Sequence, residues 1–120
     1  MGHYVDGFVV PVQKKKIMEY VRLAKMASMV WREHGALEYV ECVAEDVKPG
    51  KWTSFPQSVK LKQGETVIFA YVVYKSRKHR DQVMKKVMKD KRLKEMCDMN
   101  ALPFDAKRMF WGGFKTIVEA

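Results

Sequence analysis

The segment RMFWGGFKTIV, which runs from Arg108 to Val118, decides the fold of this 120-residue chain. Aromatic and β-branched residues dominate it, and such residues are typical of a β-strand. Side chains alternate between the two faces of a strand, and both faces of this one are largely apolar. A strand of this kind in a small antiparallel sheet needs cover on both sides. We therefore predict helices over one face of the sheet and a second body against the other.

Two adjacent glycines interrupt this strand. Gly112 and Gly113 stand in its interior, where glycine is destabilising unless the backbone needs it. We expect them to mark a β-bulge or a place where another group comes close to the backbone. Arg108 stands at the entrance to the strand, and we expect it to have a partner.

Periodicity predicts further strands and helices upstream. Alternating or continuous apolar runs indicate strands, and apolar residues recurring at three and four positions indicate amphipathic helices. The predicted elements are strands over 4–12, 36–45 and 65–74 and helices over about 13–34 and 77–90. The strand 65–74 is apolar throughout, so it should be central. Gly35 is placed to end the first helix, and Ser76 is placed to cap the second.

The connecting stretches carry weaker signals. Residues 52–56 are predicted to be irregular, and residues 58–62, with alternating lysines, resemble a short edge strand. Leu93, Met96 and Cys97 indicate another short helical turn, and a loop over 100–105 leads into the final strand.

These elements predict one α+β domain over residues 1–120. Their order favours a ferredoxin-like βαββαβ antiparallel sheet with two helices on one face. Two helices can cover that face alone. The remaining apolar face is most simply covered by an identical subunit, so we predict a homodimer.

The composition gives the chain a formal charge of +9. Such a charge is compatible with an anionic partner, including nucleic acid, although lysines on solvated helix faces explain it more simply. The basic-Gly-aromatic pattern of a common RNA-binding sheet is absent, so nucleic-acid binding is the weaker alternative. No apolar run approaches the length of about 18 residues of a membrane helix, and no secretory signal pattern opens the chain. We expect a cytoplasmic protein without a membrane partner.

Metal and cofactor chemistry has little support in the sequence. Cys42 and Cys97 form no Cys-x-x-Cys motif, and His3, His34 and His79 lack the spacing of a metal site. We expect structural thiols, no metal and no cofactor.

Several charged residues lie on or beside the apolar strands and are candidates for a small-molecule site. His34 and Glu41 are the candidate acid and base, because a helix end brings His34 beside Glu38 and Glu41. The candidate ligand-binding residues are Asp6, Glu38, Arg77, Arg80 and Arg108. An arginine among them would suit an anionic metabolite. Two alternatives remain open: His34 caps its helix, and the charged residues pair into a structural salt-bridge network.

Longer motifs in the chain resemble a known family. They are Tyr4-Val-Asp-Gly-Phe8, Glu33-His-Gly-Ala-Leu-Glu-Tyr-Val-Glu41, Thr53-Ser-Phe-Pro56, Tyr74, Ser76-Arg77, His79-Arg80-Asp81, Leu102-Pro-Phe-Asp105 and Lys107-Arg-Met-Phe-Trp-Gly-Gly-Phe114. Together they are similar to the YbaA-like bacterial family of unknown function. The resemblance implies the dimeric α/β-barrel superfamily, in which two ferredoxin-like subunits pack sheet against sheet. It implies no particular activity, because fold alone does not determine chemistry.

Overall fold

The structure is a computed structural model that describes residues 2–96 and 102–120. In chain order its elements are strand β1 (Tyr4–Gln13), a 3₁₀ turn (Lys14–Lys16), helix α1 (Ile17–Glu33), strand β2 (Glu38–Val43), helix α2 (Phe55–Ser58), strand β3 (Glu65–Tyr74), helices α3 (Arg77–Lys89) and α4 (Lys91–Met96), and strand β4 (Phe110–Lys115). The described residues thus follow the predicted βαββαβ order, with two short helices in addition. Cys97 and the start of the predicted loop over 100–105 lie outside them.

The four strands form one antiparallel sheet in the order β2-β3-β1-β4. β3 is central, as its continuous apolar sequence predicts, and β1 is its equally central neighbour. β2 and β4 form the edges and are shorter than predicted, because pairing within the chain extends only over 38–43 and 110–115. The predicted α+β ferredoxin-like fold is confirmed.

The predicted edge strand over 58–62 is wrong. The Ser54 side chain accepts a hydrogen bond from the Gln57 backbone N–H at 3.3 Å, and Pro56 occupies the first turn, so a short helix forms instead. Leu61 then donates its N–H to the Pro56 carbonyl at 3.0 Å, which closes a turn. Alternating lysines in this stretch therefore reflect a turn on the surface, and the buried Val59 fixes it to the sheet.

The predicted helix ends are confirmed. His34 donates its backbone N–H to the Val30 carbonyl at 3.1 Å, and Gly35 has a φ of +116°, where a side chain would be strained. At the start of α3, the Ser76 hydroxyl oxygen accepts a hydrogen bond from the His79 N–H at 3.1 Å. Both helices pack on the same face of the sheet, where Val30 of α1 and Val83 and Val87 of α3 meet β3.

The main core lies between the sheet and its helices. The even-numbered residues of β1 and β3 face α1 and α3, and they form two apolar clusters there. The first contains Val30, Ala36, Val72, Tyr74, Val83 and Val87, and the second contains Val10, Val12, Tyr20, Ile68 and Ala70. Burial of this apolar surface is the main stabilising contribution to the fold.

The opposite face of the sheet is covered at one end only. Val59 packs there on Val9 and Val67, and the Phe55 ring meets the Phe69 ring edge-on with centroids 6.0 Å apart. The uncovered part, which we call the open sheet face, consists of Val5, Tyr71, Val73, Phe110 and Phe114. None of the described helices has the length and apolar character needed to cross a membrane.

Gly112 and Gly113 sit in regular sheet. The pairing of β1 with β4 runs without interruption from Val9 opposite Phe110 to Tyr4 opposite Lys115, so the alternative of a β-bulge is wrong. The alternative of a close approach is what the structure shows at Gly113. A Cβ atom there would lie 2.8 Å from Cε2 of the Tyr4 ring, whereas one at Gly112 would lie 3.8 Å from its nearest neighbour.

Candidate functional site

A cavity of about 160 Å³ lies between the sheet and helices α1 and α4. Its walls come from β1, β2, β3, α1, α4 and the segment that precedes β4. Five aromatic rings line it, those of Phe8, Tyr20, Trp31, Tyr39 and Phe104. The remaining described lining residues are aliphatic or methionine, with one exception. That exception is Glu41, the only charged residue among them.

Glu41 is held by two tyrosines. The Tyr20 hydroxyl donates to Oε1 of Glu41, and the Tyr39 hydroxyl donates to Oε2 at 2.7 Å. Burial raises the pKa of both phenols, and the neighbouring Glu41 charge raises it further. The two phenols therefore remain protonated at neutral pH and act as hydrogen-bond donors. Glu41 is thereby fixed in position with both of its oxygens engaged.

A second cavity, of about 300 Å³, adjoins the first on its outer side. The two share four lining residues, Tyr20, Ala24, Tyr39 and Glu41. Exposed residues such as Lys25 and Cys42 also line the outer cavity, so it faces solvent between α1 and the edge strand β2. Glu41 therefore stands at the boundary between the apolar cavity and the surface.

A separate polar network surrounds Asp6, which is fully buried. Its Oδ1 accepts a hydrogen bond from Nη1 of Arg80 at 3.0 Å, and the guanidinium of Arg80 lies 5.0 Å from the centre of the Tyr4 ring. Nε of Arg80 is 2.9 Å from Asp81 but is not aligned for a hydrogen bond, so that contact is an ion pair alone. Arg80 thus joins α3 to the centre of the sheet.

Burial dominates the ionisation of Asp6. It raises the pKa of this carboxyl above the ordinary value, although Arg80 and the Tyr74 hydroxyl oppose the shift. Oδ2 of Asp6 has no hydrogen-bond partner among the described residues. The Tyr74 hydroxyl in turn accepts a hydrogen bond from Nε1 of Trp31 at 3.2 Å. Trp31 lines the cavity, so this network lies directly behind the cavity wall.

Arg108, for which a partner was expected, binds two acidic residues. It makes a bidentate pair with Glu65, with N–O distances of 2.8 and 2.5 Å, and donates to Asp105 at 2.8 Å. It also donates to the backbone carbonyls of Val59 and Lys60. Arg108 therefore ties the turn after α2 and the segment before β4 to the start of β3.

The other predicted site residues lie apart from the cavity. Nε2 of His34 is 2.8 Å from the Asp90 carboxylate at the end of α3, so the expected pair with Glu38 or Glu41 is not formed within the described part of the chain. Alternation along β2 explains this result, because it directs Glu41 under α1 and leaves Glu38 exposed on the opposite face. Arg77 is exposed, 3.8 Å from Asp81.

The described residues contain no group of three or more His, Cys, Asp or Glu side chains arranged to hold a metal ion. Cys42 is a free thiol and is exposed. The lysines of the 3₁₀ turn, α3 and α4 lie largely on exposed surfaces. They form no part of the cavity lining described above.

Comparison with known proteins assigns the family. The model of a family described as "Protein of unknown function (DUF1428)" matches residues 3–106. The chain is also 44% identical to the uncharacterized protein YbaA of Escherichia coli (strain K12) over 116 residues, which cover 97% of each chain. YbaA of Shigella flexneri gives the same values. The chain belongs to the DUF1428 family. The resemblance seen in the sequence motifs is thereby confirmed.

Solved structures place this DUF1428 member among ferredoxin-like proteins. A NIPSNAP family protein of unknown function from Agrobacterium tumefaciens matches with a TM-score of 0.63 at 11% identity, over 96% of this chain and 88% of that one. A dimeric ferredoxin-like protein from an uncultured marine organism gives a TM-score of 0.63 at 7% identity, over the full length of both. At these identities the likeness shows a shared fold.

The sequence of this DUF1428 member indicated Glu41 as a candidate site residue, but it did not identify the residues around it. Alternation in β2 places Tyr39 and Glu41 on one face, and Tyr20 belongs to the apolar stripe of α1. A carboxylate directed beneath a helix must meet donors there. The tyrosine on the facing stripe was thus a signal that could have found this group before the structure did.

Proposed function

We propose that this chain binds a small, largely apolar organic molecule in the cavity beneath α1 and α4, with Glu41 as its polar anchor. One observation carries the proposal: an apolar cavity whose single charged described lining residue is positioned by two tyrosine hydroxyls. Ligand sites generally combine apolar and aromatic walls with a few well-placed polar groups. The cavity has this composition.

The arrangement around Glu41 supports a ligand site rather than an ordinary core position. Placing a carboxylate among aromatic and aliphatic side chains is unfavourable unless hydrogen bonds compensate it. A leucine in its place would fill the same space without any need for donors. Two tyrosines that hold a charge at a cavity wall are better explained by a group that the cavity receives.

The position of Glu41 also bears on the kind of ligand and on catalysis. Arg80 and Arg108, which suggested an anionic metabolite, are engaged by Asp6 and by Glu65 and Asp105. We therefore propose a ligand without a negative charge. A general-base role for Glu41 stays a prediction. The contact of His34 with Asp90 supports the proposal that His34 stabilises the junction of α1 and α3 rather than assisting at the cavity.

The cavity proposal is tested with toluene, an apolar probe of suitable size. At a free concentration ten times its Kd, toluene should increase the stability of the protein by about 1.4 kcal/mol in thermal unfolding. Ala27 lines the cavity, so Ala27→Leu should fill part of it and abolish the effect. Met26→Leu introduces the same residue at the exposed neighbouring position and should keep the effect. Equal responses of both variants and wild type would place toluene elsewhere.

We further propose that the chain forms a homodimer through the open sheet face. Phe110 and Phe114 are 47% and 65% exposed there, and alternation places Val5, Tyr71 and Val73 beside them. An exposed apolar patch of this kind is typical of a protein interface. A dimeric ferredoxin-like protein of the same fold supports an identical subunit as the partner. The cavity lies on the opposite side of the sheet, so dimerisation would leave it accessible.

A further inference from the structure

The sign of the charge at the cavity points to a class of ligand. The whole chain carries +9, yet no lysine or arginine is among the described lining residues, and the one charge present is the carboxylate of Glu41. We propose that the ligand is a small organic cation, an amine with an aromatic or branched aliphatic body, whose ammonium group binds Glu41. This inference rests on the proposed binding function of the cavity and specifies its ligand.

Glu41 retains capacity for such a ligand. A carboxylate offers about four lone-pair positions on its two oxygens. The Tyr20 hydroxyl occupies one position on Oε1, and the Tyr39 hydroxyl occupies one on Oε2. Each phenol has a single proton to donate, and the raised pKa values keep both protons in place. Each oxygen can therefore accept one more hydrogen bond, and an ammonium group is a donor with up to three N–H bonds.

Aromatic rings flank the carboxylate on both sides. The Tyr20 ring packs edge-on to Phe104, with centroids 5.9 Å apart, and the Trp31 ring lies 5.9 Å from that of Tyr39. The faces of aromatic rings carry partial negative charge and attract cations, most strongly where water is excluded. A cation in this cavity would thus meet one full negative charge and several ring faces. An anion of the same size would be repelled by both.

Size limits the body of the ligand. An engineered apolar cavity of about 150 Å³ is large enough to bind benzene, so a cavity of about 160 Å³ accommodates roughly one six-membered ring. A charged ligand also needs a route that keeps its ammonium group hydrated until it reaches its partner. The outer cavity provides one, because Glu41 lines both it and the inner cavity.

Binding of four ligands of nearly equal size tests whether the cavity prefers a cation, independently of whether it binds an apolar molecule at all. They are toluene, benzyl alcohol, benzylamine and benzoate, measured by isothermal titration calorimetry or NMR titration at neutral pH. Benzylamine, protonated under these conditions, should bind at least about tenfold more tightly than toluene or benzyl alcohol. Benzoate should bind most weakly of the four. This comparison uses wild-type protein alone, so it does not depend on the folding of a variant.

Glu41→Gln supplies the matched variant, because glutamine keeps the shape: its amide oxygen still accepts from one tyrosine, and its NH₂ group donates to the hydroxyl oxygen of the other. The advantage of benzylamine over benzyl alcohol should disappear in this variant, while toluene affinity should change by less than about threefold. If wild type binds toluene but prefers no amine, or if the preference persists in Glu41→Gln, the cation inference is wrong and the cavity function stands. If none of the four binds, the cavity function itself is wrong.

Discussion

Two arginines bind carboxylates that are largely shielded from solvent, and each connects parts of the chain that are distant in sequence. Arg80 reaches Asp6 across 74 positions, and Arg108 reaches Glu65 across 43. A buried pair of this kind adds modest net stability while both partners are present, because desolvation offsets much of the attraction. Removing one partner leaves the other buried without compensation. Single substitutions of these two arginines should therefore distinguish a structural role from a ligand-binding role.

Arg80→Ala should destabilise the protein by about 3–5 kcal/mol, because it leaves the fully buried Asp6 without its partner. Arg77→Ala, three residues earlier on the same helix, removes an exposed side chain and should cost less than about 0.5 kcal/mol. Denaturant unfolding at neutral pH measures both values. The destabilisation should shrink in acid, because Asp6 can then protonate. Equal losses in the two variants would argue against a structural role for Arg80.

The pair between Arg108 and Glu65 should make stability depend on pH. The hydrogen bonds from Arg108 hold the pKa of Glu65 below its ordinary value of 4.5. The folded state therefore favours the ionised carboxylate. This contribution to stability is fully present above pH 4.5, and it is lost as the pH falls from there through the lower pKa that Glu65 has in the folded state. Glu65→Gln should show a smaller loss of stability than wild type between neutral and acidic pH. The same pH profile in both proteins would contradict the prediction.

At the scale of elements, β4 is held to β1 by a contact that requires glycine. The Tyr4 ring lies across Gly113 while the guanidinium of Arg80 stacks on the same ring. Any Cβ atom at position 113 must displace the ring and weaken its contact with Arg80. Gly112, one residue earlier, faces the open side, where a Cβ atom has room.

Gly113→Ala should therefore destabilise the protein by about 1–2 kcal/mol, since overpacking forces Tyr4 to move. Gly112→Ala is the matched control and should be neutral or stabilising by up to about 1 kcal/mol, because it reduces the freedom of the unfolded chain. Chemical denaturation of both variants gives these values under identical conditions. A Gly113→Ala variant as stable as Gly112→Ala would show that the ring moves freely.

Elements with strong periodicity were predictable, whereas contacts between elements were not. The runs 65–74 and 77–90 predicted a central strand and a capped helix, because apolar periodicity and a capping serine are local features of the sequence. The prediction over 58–62 failed because Ser54 and Pro56 initiate a helical turn that outweighs the alternating lysines. The pairing of His34 with Asp90 depends on how α1 and α3 pack, which no local pattern encodes. Glu41 was identified as a candidate from its own strand, whereas its partner Tyr20 was counted only as part of the apolar stripe of α1.

At the scale of the molecule, the sheet divides two proposed roles. Glu41 and the cavity lie on the side that α1 and α4 cover, and Phe114 lies on the open side. Strand alternation produces this division, because the side chains of neighbouring residues in one strand point to opposite faces of the sheet. A substitution on the open sheet face should thus change assembly and leave ligand binding at Glu41 unaffected. The two proposals can be tested independently in one protein.

Phe114→Glu should convert a dimer into a monomer, because it places a charge in an apolar interface made of two identical faces. Met18→Glu is the matched control: Met18 on α1 is 64% exposed, Phe114 is 65% exposed, and Met18 lies away from the open sheet face. Sedimentation equilibrium at micromolar concentration should give a dimer for wild type and Met18→Glu and a monomer for Phe114→Glu. A monomeric wild type, or a Phe114→Glu variant that remains dimeric, would show that the open sheet face does not pair with itself. Because Phe114 packs only at the edge of the fold, the variant should keep its cooperative unfolding, and circular dichroism would separate loss of assembly from loss of structure.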